Sequence, residues 1–203
     1  MLNFMKTNPS KNIILAALLF TGCAGNLFSG ENDWSGTCRV TFSGKSTLHD
    51  FSGTVDAEPF TVSISSASDL ANAKASSHVV VKAAGMNSDN KNRDKEMHKC
   101  MDVTTHPEIL VDLKDLPVSD TKPALDGQVP RPTVIPFTMT LKGKKHQVTG
   151  TVSNWSFKGE SVDCVVSFPV SLSKSGITPP NVLGLVKVKD EIQVTAKLHL
   201  KHG

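Results

Sequence analysis

The sequence predicts a mainly β protein: an antiparallel barrel of about eight strands with one short helix at its rim. From Trp34 almost to the end of the chain, apolar and polar residues alternate with the period of a half-buried strand. A parallel sheet would show unbroken apolar runs joined by long helical crossovers. Since an antiparallel sheet of this size with one apolar face has exposed edges to hide, we expect it to close on itself.

The clearest strand segments place every second, apolar residue on one face. These residues are Cys38, Val40 and Phe42; Phe60, Val62 and Ile64; Ile109, Val111 and Leu113; Phe137, Met139 and Leu141; Val162, Cys164, Val166, Phe168, Val170 and Leu172; and Ile192, Val194, Ala196, Leu198 and Leu200. Turns are predicted around Gly143 and Gly159. Residues 115–132 and 172–184 contain prolines and are predicted as long loops, the second bordering the barrel mouth.

One segment, residues 86–102, breaks the period of two and contains no proline or glycine. It predicts a helix of roughly three turns, with Ser88 or Asp89 as the N-cap. Its apolar face holds little beyond Met97 and Met101, so we expect a helix on the rim of the barrel, outside the core.

The N-terminus is typical of an export signal. Lys6 and Lys11 precede the apolar run 13–20, which is too short to span a bilayer, and no later run is long enough either. Small residues then stand directly before Cys23, which resembles the lipobox of bacterial lipoproteins, although Phe20 stands where Leu, Val or Ile is usual.

This pattern predicts a signal peptide of the lipoprotein type in 1–23, a tether in 24–33 and the barrel domain in 34–203. The expected location is the periplasm, with the protein tethered to the outer membrane through lipidated Cys23. Ordinary signal cleavage just after Cys23, which would give a soluble periplasmic or secreted protein, is the alternative.

Charge and cysteine content limit the other classes of function. The 203-residue chain has 22 basic and 19 acidic residues, scattered and without a basic stripe, so no nucleic-acid partner is expected. Outside the cytoplasm, two of Cys38, Cys100 and Cys164 are expected to pair as a disulfide, and the sequence leaves open which two.

No catalytic arrangement emerges, so we predict that the protein is not an enzyme. His49 and Asp50 are adjacent in a predicted strand and would point to opposite faces, which prevents a base–orienter hydrogen bond. A GxSxG nucleophile elbow is also missing. The spacing of His98, Cys100 and His106 is not that of a helical ligand pair, so no metal site is predicted.

Four phrases resemble, in this order, the YceI-like family of bacterial periplasmic proteins, over about Trp34 to Leu200. They are "FSGKSTLHDFSGTV", "NRDKEMHKCMDVTTHPEILVDL", "PFTMTLKGKKHQVTGTV" and "VKDEIQVTAKLHL". The Arg93-Asp94 pair followed by His106-Pro107 is the most specific part. The resemblance implies a lipocalin-like barrel that holds a long isoprenoid or similar amphiphile in an apolar tunnel, without enzymatic activity. The lipid anchor and the three cysteines of the barrel domain depart from the family pattern.

The predicted function is therefore non-enzymatic binding, carriage or storage of a long apolar isoprenoid, isoprenoid quinone or fatty-acyl lipid, with no cofactor besides that ligand. Arg93, and after it His49, would contact the polar head group. The expected ligand-binding residues are Phe42, Phe51, Val62, Ile64, Arg93, Met97, Phe137, Met139, Leu141, Val166, Phe168 and Val170.

Two alternatives stay open from the sequence. One is a ligand-free structural or interaction protein of the cell envelope, with a barrel filled by its own side chains. The other is a metal- or heme-associated respiratory accessory, for which His98, Cys100 and His106 would be the residues to test. A homodimer is also left open.

Overall fold

The structure is a computed structural model that describes residues 33–65, 72–118, 132–182 and 186–203. The predicted signal peptide, the lipid-anchor residue Cys23 and most of the tether lie outside the described residues, as does 119–131 of the first predicted loop. No helix in the described part of the chain combines the length and the apolarity needed to cross a membrane.

The described residues form ten strands, a short 3₁₀ turn at Ala83–Gly85 and one α-helix. The strands are β1 Asp33–Ser46, β2 Phe51–Asp56, β3 Phe60–Ser65, β4 Lys74–Lys82, β5 Glu108–Pro117, β6 Val134–Leu141, β7 Lys144–Lys158, β8 Ser161–Ser171, β9 Asn181–Val182 and β10 Val186–His202, and the helix is α1 Lys91–Met101.

Eight of the strands close an antiparallel barrel in the order β1-β3-β4-β5-β6-β7-β8-β10 and back to β1. The closing pair runs from Trp34 opposite His202 to Gly44 opposite Ile192. The other edge of β1 is shared, because β3 pairs with its first residues and β2 with its second half. The predicted fold class, an antiparallel barrel of about eight strands with one helix, is confirmed.

Alternation along the strands produces the core. On β8 the residues Val162, Cys164, Val166, Phe168 and Val170 are all buried, and the residues between them are half-buried or exposed. Since paired residues on neighbouring strands point to the same face, the apolar partners of these residues on β7 and β10 also face the interior.

Helix α1 covers one end of the barrel, which we call the helix end; the opposite end, where β1 begins and the β7–β8 turn lies, is the far end. The N-cap is Asn90, whose Oδ1 accepts a hydrogen bond from Arg93 N at 3.0 Å. The predicted caps were wrong. Asp89 has a left-handed φ of 58°, and Ser88 is 5% exposed and bonded to Asp94 instead.

Two further sequence predictions need correction. His49 and Asp50 do not lie in a strand but in the exposed tip between β1 and β2, where Ser46 Oγ donates to His49 O at 2.6 Å. The strand β5 also continues to Pro117, into the predicted loop, because Asp115 adopts a φ of 50° and donates its N–H to Ser76 Oγ.

Candidate ligand-binding cavity

The barrel encloses a cavity of about 560 Å³, which is within the usual range for ligand pockets. Its wall comes from β1 to β6, β8, β10, α1 and the loop after β8. Apolar side chains dominate this wall, and most of the polar ones lie at the helix end.

The interior is filled on one side only. The rings of Phe137 on β6 and Phe168 on β8 pack edge to face, with centroids 5.1 Å apart at an interplanar angle of 76°. Between them on β7 is Gly150, where an added Cβ would overlap Val166 Cγ1 and lie 3.2 Å from Phe137 Cε1. β7 contributes no residue to the cavity wall. The cavity therefore lies on the side of these two rings that faces away from β7.

The mouth of the cavity is at the helix end, between three segments. The β1–β2 tip contributes Ser46, His49 and Phe51; the start of α1 contributes Asn90, Asn92, Arg93 and Glu96; and the chain around β9 contributes Pro180 and Val188. Thr47 N donates to Lys187 O at 3.1 Å, which joins the tip to β10. Leu48, at the outermost point of this tip, is 66% exposed.

Arg93 is held at this mouth by its neighbours. Its Nε donates to Ser88 Oγ and its Nη2 to Ser88 O, both at 2.8 Å, and the guanidinium carbon lies 5.7 Å from the centroid of the Phe51 ring. The Ser88 hydroxyl in turn donates to Asp94 Oδ1. Among the described residues no carboxylate forms an ion pair with Arg93.

Away from the mouth, the wall presents few free polar groups. The hydroxyl of Ser77 on β4 donates to Thr61 O at 2.7 Å and is already satisfied. The Cys38 and Cys100 thiols are weak donors. The inner part of the cavity is therefore suited to a hydrocarbon chain.

Burial keeps the thiols in the neutral form. Burial first, then the Cys164 thiol and Asp56, raise the pKa of Cys38 to about 12. Burial and Asp163 raise the pKa of Cys164 to about 11. The pKa of Cys100 is also raised, by burial and by Glu96. Thiols with raised pKa values are poor nucleophiles at neutral pH.

The expected disulfide among the three barrel cysteines is wrong, because all three are free thiols. Cys38 and Cys164 both pair with Leu198 of β10, from opposite sides. Two strand spacings separate them, about 10 Å, which exceeds the Cα separation a disulfide can bridge. Cys100 lies on α1 at the helix end.

The histidine and cysteine side chains considered for a metal do not converge. His98 Nε2 lies 3.0 Å from Met86 O, while His106 packs beside the β6–β7 turn at Gly143. In the described residues there is no group of three or more His, Cys, Asp or Glu side chains that could hold a metal ion. The alternative of a metal- or heme-associated accessory gains no support from this geometry.

The β6–β7 turn, predicted around Gly143, also makes contacts inside the protein. Lys142 and Gly143 have φ values of 48° and 72°, as a type I′ turn requires. Lys142 Nζ donates to Cys100 O at 3.0 Å and to Gly176 O at 3.3 Å. This lysine therefore ties the end of α1 to the loop after β8.

Of the twelve residues predicted to bind the ligand, the structure places eleven in the cavity wall. Ile64, near the far end of β3, is not part of it. That the eleven contact a ligand stays a prediction.

Several wall residues were missed from the sequence. Val79 and Val81 lie in the run "HVVV" of β4, where three consecutive valines hide the alternation. Ile177, which is 2% exposed, and Pro180 lie in the predicted loop, where no periodicity marks them. Leu172, at the edge of the same loop, was the one residue there with a strand-like signal.

The fold and the cavity together define a class: a closed antiparallel barrel with an apolar interior that opens at one end, beside a helix. The YceI-like domain family matches residues 35–200, and the chain belongs to this family.

Two solved structures share the fold. One is BcnA of Burkholderia cenocepacia, with a TM-score of 0.56 and 17% identity, covering 80% of this chain and 95% of the other. The second is a polyisoprenoid-binding domain from Saccharophagus degradans described as implicated in plant cell wall breakdown. It has a TM-score of 0.58 and 13% identity, covering 84% of this chain and 98% of the other. A comparison with proteins of curated function finds no match.

Proposed function

We propose that the protein binds, carries or stores one long apolar chain of the isoprenoid, isoprenoid quinone or fatty-acyl class inside the barrel, without chemistry on it. The observation that carries the proposal is the cavity of about 560 Å³, whose inner wall is apolar and whose polar groups gather at the mouth. That a structural neighbour is described as polyisoprenoid-binding supports the same class of ligand.

Burial alone can supply the affinity. Each methylene removed from water contributes about 0.8 kcal/mol before the costs of ordering the chain. A hydrocarbon tail in the cavity would meet the valines, phenylalanines and methionines of the wall, and no charged contact is needed along it. Specificity for the head group would come from the mouth.

Arg93 is the proposed contact for the head group. Its Nε and Nη2 donate hydrogen bonds to Ser88, and its remaining N–H groups have no carboxylate partner among the described residues. A head group with oxygen acceptors could take these donors while the tail enters beside Phe51. His49, exposed at the tip of the mouth, is the secondary candidate.

The test is native mass spectrometry of protein purified from expressing bacteria without detergent, followed by organic extraction. The expected result is one extractable long-chain species at near-equal stoichiometry. A stable protein that carries nothing and refuses added prenyl alcohols and fatty acids would refute the proposal and favour an interaction protein of the envelope.

A matched pair of variants tests where the chain lies. Val79 and Val80 are adjacent on β4, but only Val79 belongs to the cavity wall. Valine to threonine keeps the shape and adds a hydroxyl, whose desolvation costs about 1–3 kcal/mol. Val79→Thr should weaken binding about tenfold, whereas Val80→Thr should leave it unchanged. Equal effects would mean that the ligand does not lie in the cavity.

Location is proposed from the sequence, because residues 1–32 lie outside the described part of the chain. We propose export to the periplasm and attachment to the outer membrane through lipidated Cys23. Cys23→Ser should release the protein into the soluble periplasmic fraction and remove the mass of the lipid. An unchanged mass and distribution would favour ordinary signal cleavage.

A further inference from the structure

One aromatic ring, that of Phe60, closes the cavity along β1 in the direction of the far end. On β1 the inward residues Phe42, Val40 and Cys38 all belong to the wall, but the next inward residue, Gly36, does not. The ring of Phe60, from the paired position on β3, covers Gly36: a Cβ added there would overlap the ring, with Cζ only 2.5 Å away. Along β1 the cavity therefore ends where this ring begins, whereas along β3 the wall continues one inward position past Phe60, to Val62.

Phe60 is also part of the cavity wall, so removing its ring would enlarge the cavity itself. The residue is buried, and the space beside it continues along Cys38 of β1. The Gly36–Phe60 pair thus closes the cavity along β1, and the volume of the ring is volume that the cavity lacks.

The volume gives the size of the chain that fits. In a liquid, one water-sized group occupies about 30 Å³. The cavity volume of about 560 Å³ therefore holds about 20 such groups. This number is close to the carbon count of four isoprene units. A longer chain would have to leave part of its length outside the space that the described residues enclose.

We infer that the protein selects a single-chain amphiphile with a tail of about four isoprene units, or an acyl chain of similar size, and that the Phe60 ring, which closes the cavity along β1 against Gly36, helps to set this limit. The inference rests on the proposed function and adds the length of the tail. It makes Phe60 a specificity-determining residue.

The experiment measures the affinity of prenyl alcohols of two to six isoprene units by displacement of a bound dansylated fatty acid. In the native protein the affinity should rise by up to about fourfold per buried methylene and level off near four units. In Phe60→Ala, the six ring carbons that are lost leave room for about one further unit, so the plateau should move to five.

Three variants keep the result interpretable. Phe60→Leu, with a smaller loss of packing, should move the plateau in the same direction and decides the test if Phe60→Ala does not fold. Gly36→Ala should push the ring into the cavity and move the plateau below four units. Val152→Ala removes buried volume on β7, outside the cavity wall, and should leave the plateau where it is.

The outcomes separate the two hypotheses. If neither the dansylated fatty acid nor any of the alcohols binds the native protein, the proposed function fails. If they bind, but the affinity rises through six units in the native protein, or the plateau is the same in Phe60→Ala, Phe60→Leu and Gly36→Ala, the inference about Phe60 is overturned while the proposed function stands.

Discussion

The two sides of the barrel interior are built from the same alternating pattern and end up different. Around β7 the interior is solid, because Val166 and the Phe137 ring fill the space beside Gly150, and the Phe137 ring packs edge to face on Phe168. Towards β4 and β5 the wall residues Val79 and Val111 border open space. An apolar face along a strand therefore does not decide between core and cavity. The direction of a few large rings decides it.

The largest expected effect comes from removing one of those rings. Phe137→Ala should lower the free energy of unfolding by about 3–5 kcal/mol, since the ring is buried between Phe168 and β7. Phe51→Ala, at the half-buried mouth, should cost less than half as much. Urea unfolding of lipid-free protein measures both values. Equal losses would mean that the two sides are packed alike.

A glycine-to-alanine change on each side of the interior tests how tightly that side is packed. In Gly150→Ala the new Cβ would meet the short, stiff side chain of Val166, and the overpacked core should lose about 1–3 kcal/mol. In Gly36→Ala it meets the end of the Phe60 ring, which has the cavity to move into, so the loss should be under about 1 kcal/mol. Both values come from urea unfolding of lipid-free protein. A larger loss at Gly36 would show that Phe60 has no room to move.

The thiols offer a pH-dependent test, with Cys38 at the cavity and Cys164 in the packed region. The folded state keeps both protonated up to a pKa of about 12 and about 11, whereas the unfolded state ionises near 9.0. The stability from these neutral thiols is complete below pH 9 and is lost as the pH rises above it.

At pH 10 each thiol should cost up to about 1 kcal/mol relative to pH 8. The measurement is the urea midpoint at pH 8 and pH 10 for the native protein, Cys38→Ala, Cys164→Ala and the double variant. Comparing these proteins separates the contribution of the thiols from that of other titrating groups. A double variant that loses as much stability as the native protein would contradict the assignment.

The smallest effect is expected on the outer surface, which carries one histidine–aspartate pair on each side. His78 Nδ1 lies 2.7 Å from Asp112 Oδ1 across β4 and β5, and His199 Nδ1 lies 2.7 Å from Asp163 Oδ1 across β8 and β10. Asp112→Asn and Asp163→Asn should each cost less than about 1 kcal/mol at neutral pH, because both pairs are exposed. A loss well above this in either variant would contradict the expectation that solvent screens both pairs.

Alternation allowed the wall to be predicted where polar residues separate apolar ones, as at Phe137, Met139 and Leu141. It failed at Val79 in β4, where the residues on both faces are valine. It also misplaced Ile64, which shares a face with Val62 but lies beyond the wall. The face of a residue is local information, whereas its depth along the barrel depends on strand pairing.

For the helix, too, the local sequence predicted only part of the structure. Its existence followed from the break in the period of two, but the cap was predicted at Ser88 or Asp89, whereas the structure has it at Asn90. The choice was made by side-chain contacts at the start of the helix, since the Ser88 hydroxyl bonds Arg93 and Asp94 instead. The cavity itself could not be derived from the sequence, because ring directions at Phe60 and Phe168 depend on residues distant in the chain.

The pairing of β1 with β10 also has a consequence for how the chain folds. The two strands that close the barrel are the first and the last, and Trp34 faces His202. Long-range contacts of this kind make folding slow, because the loop-closure entropy is lost before the contacts form. The barrel cannot close while β10 is still being synthesised. Until then β1 and β8 have unpaired edges, so the nascent chain is most prone to aggregation just before its last strand is complete.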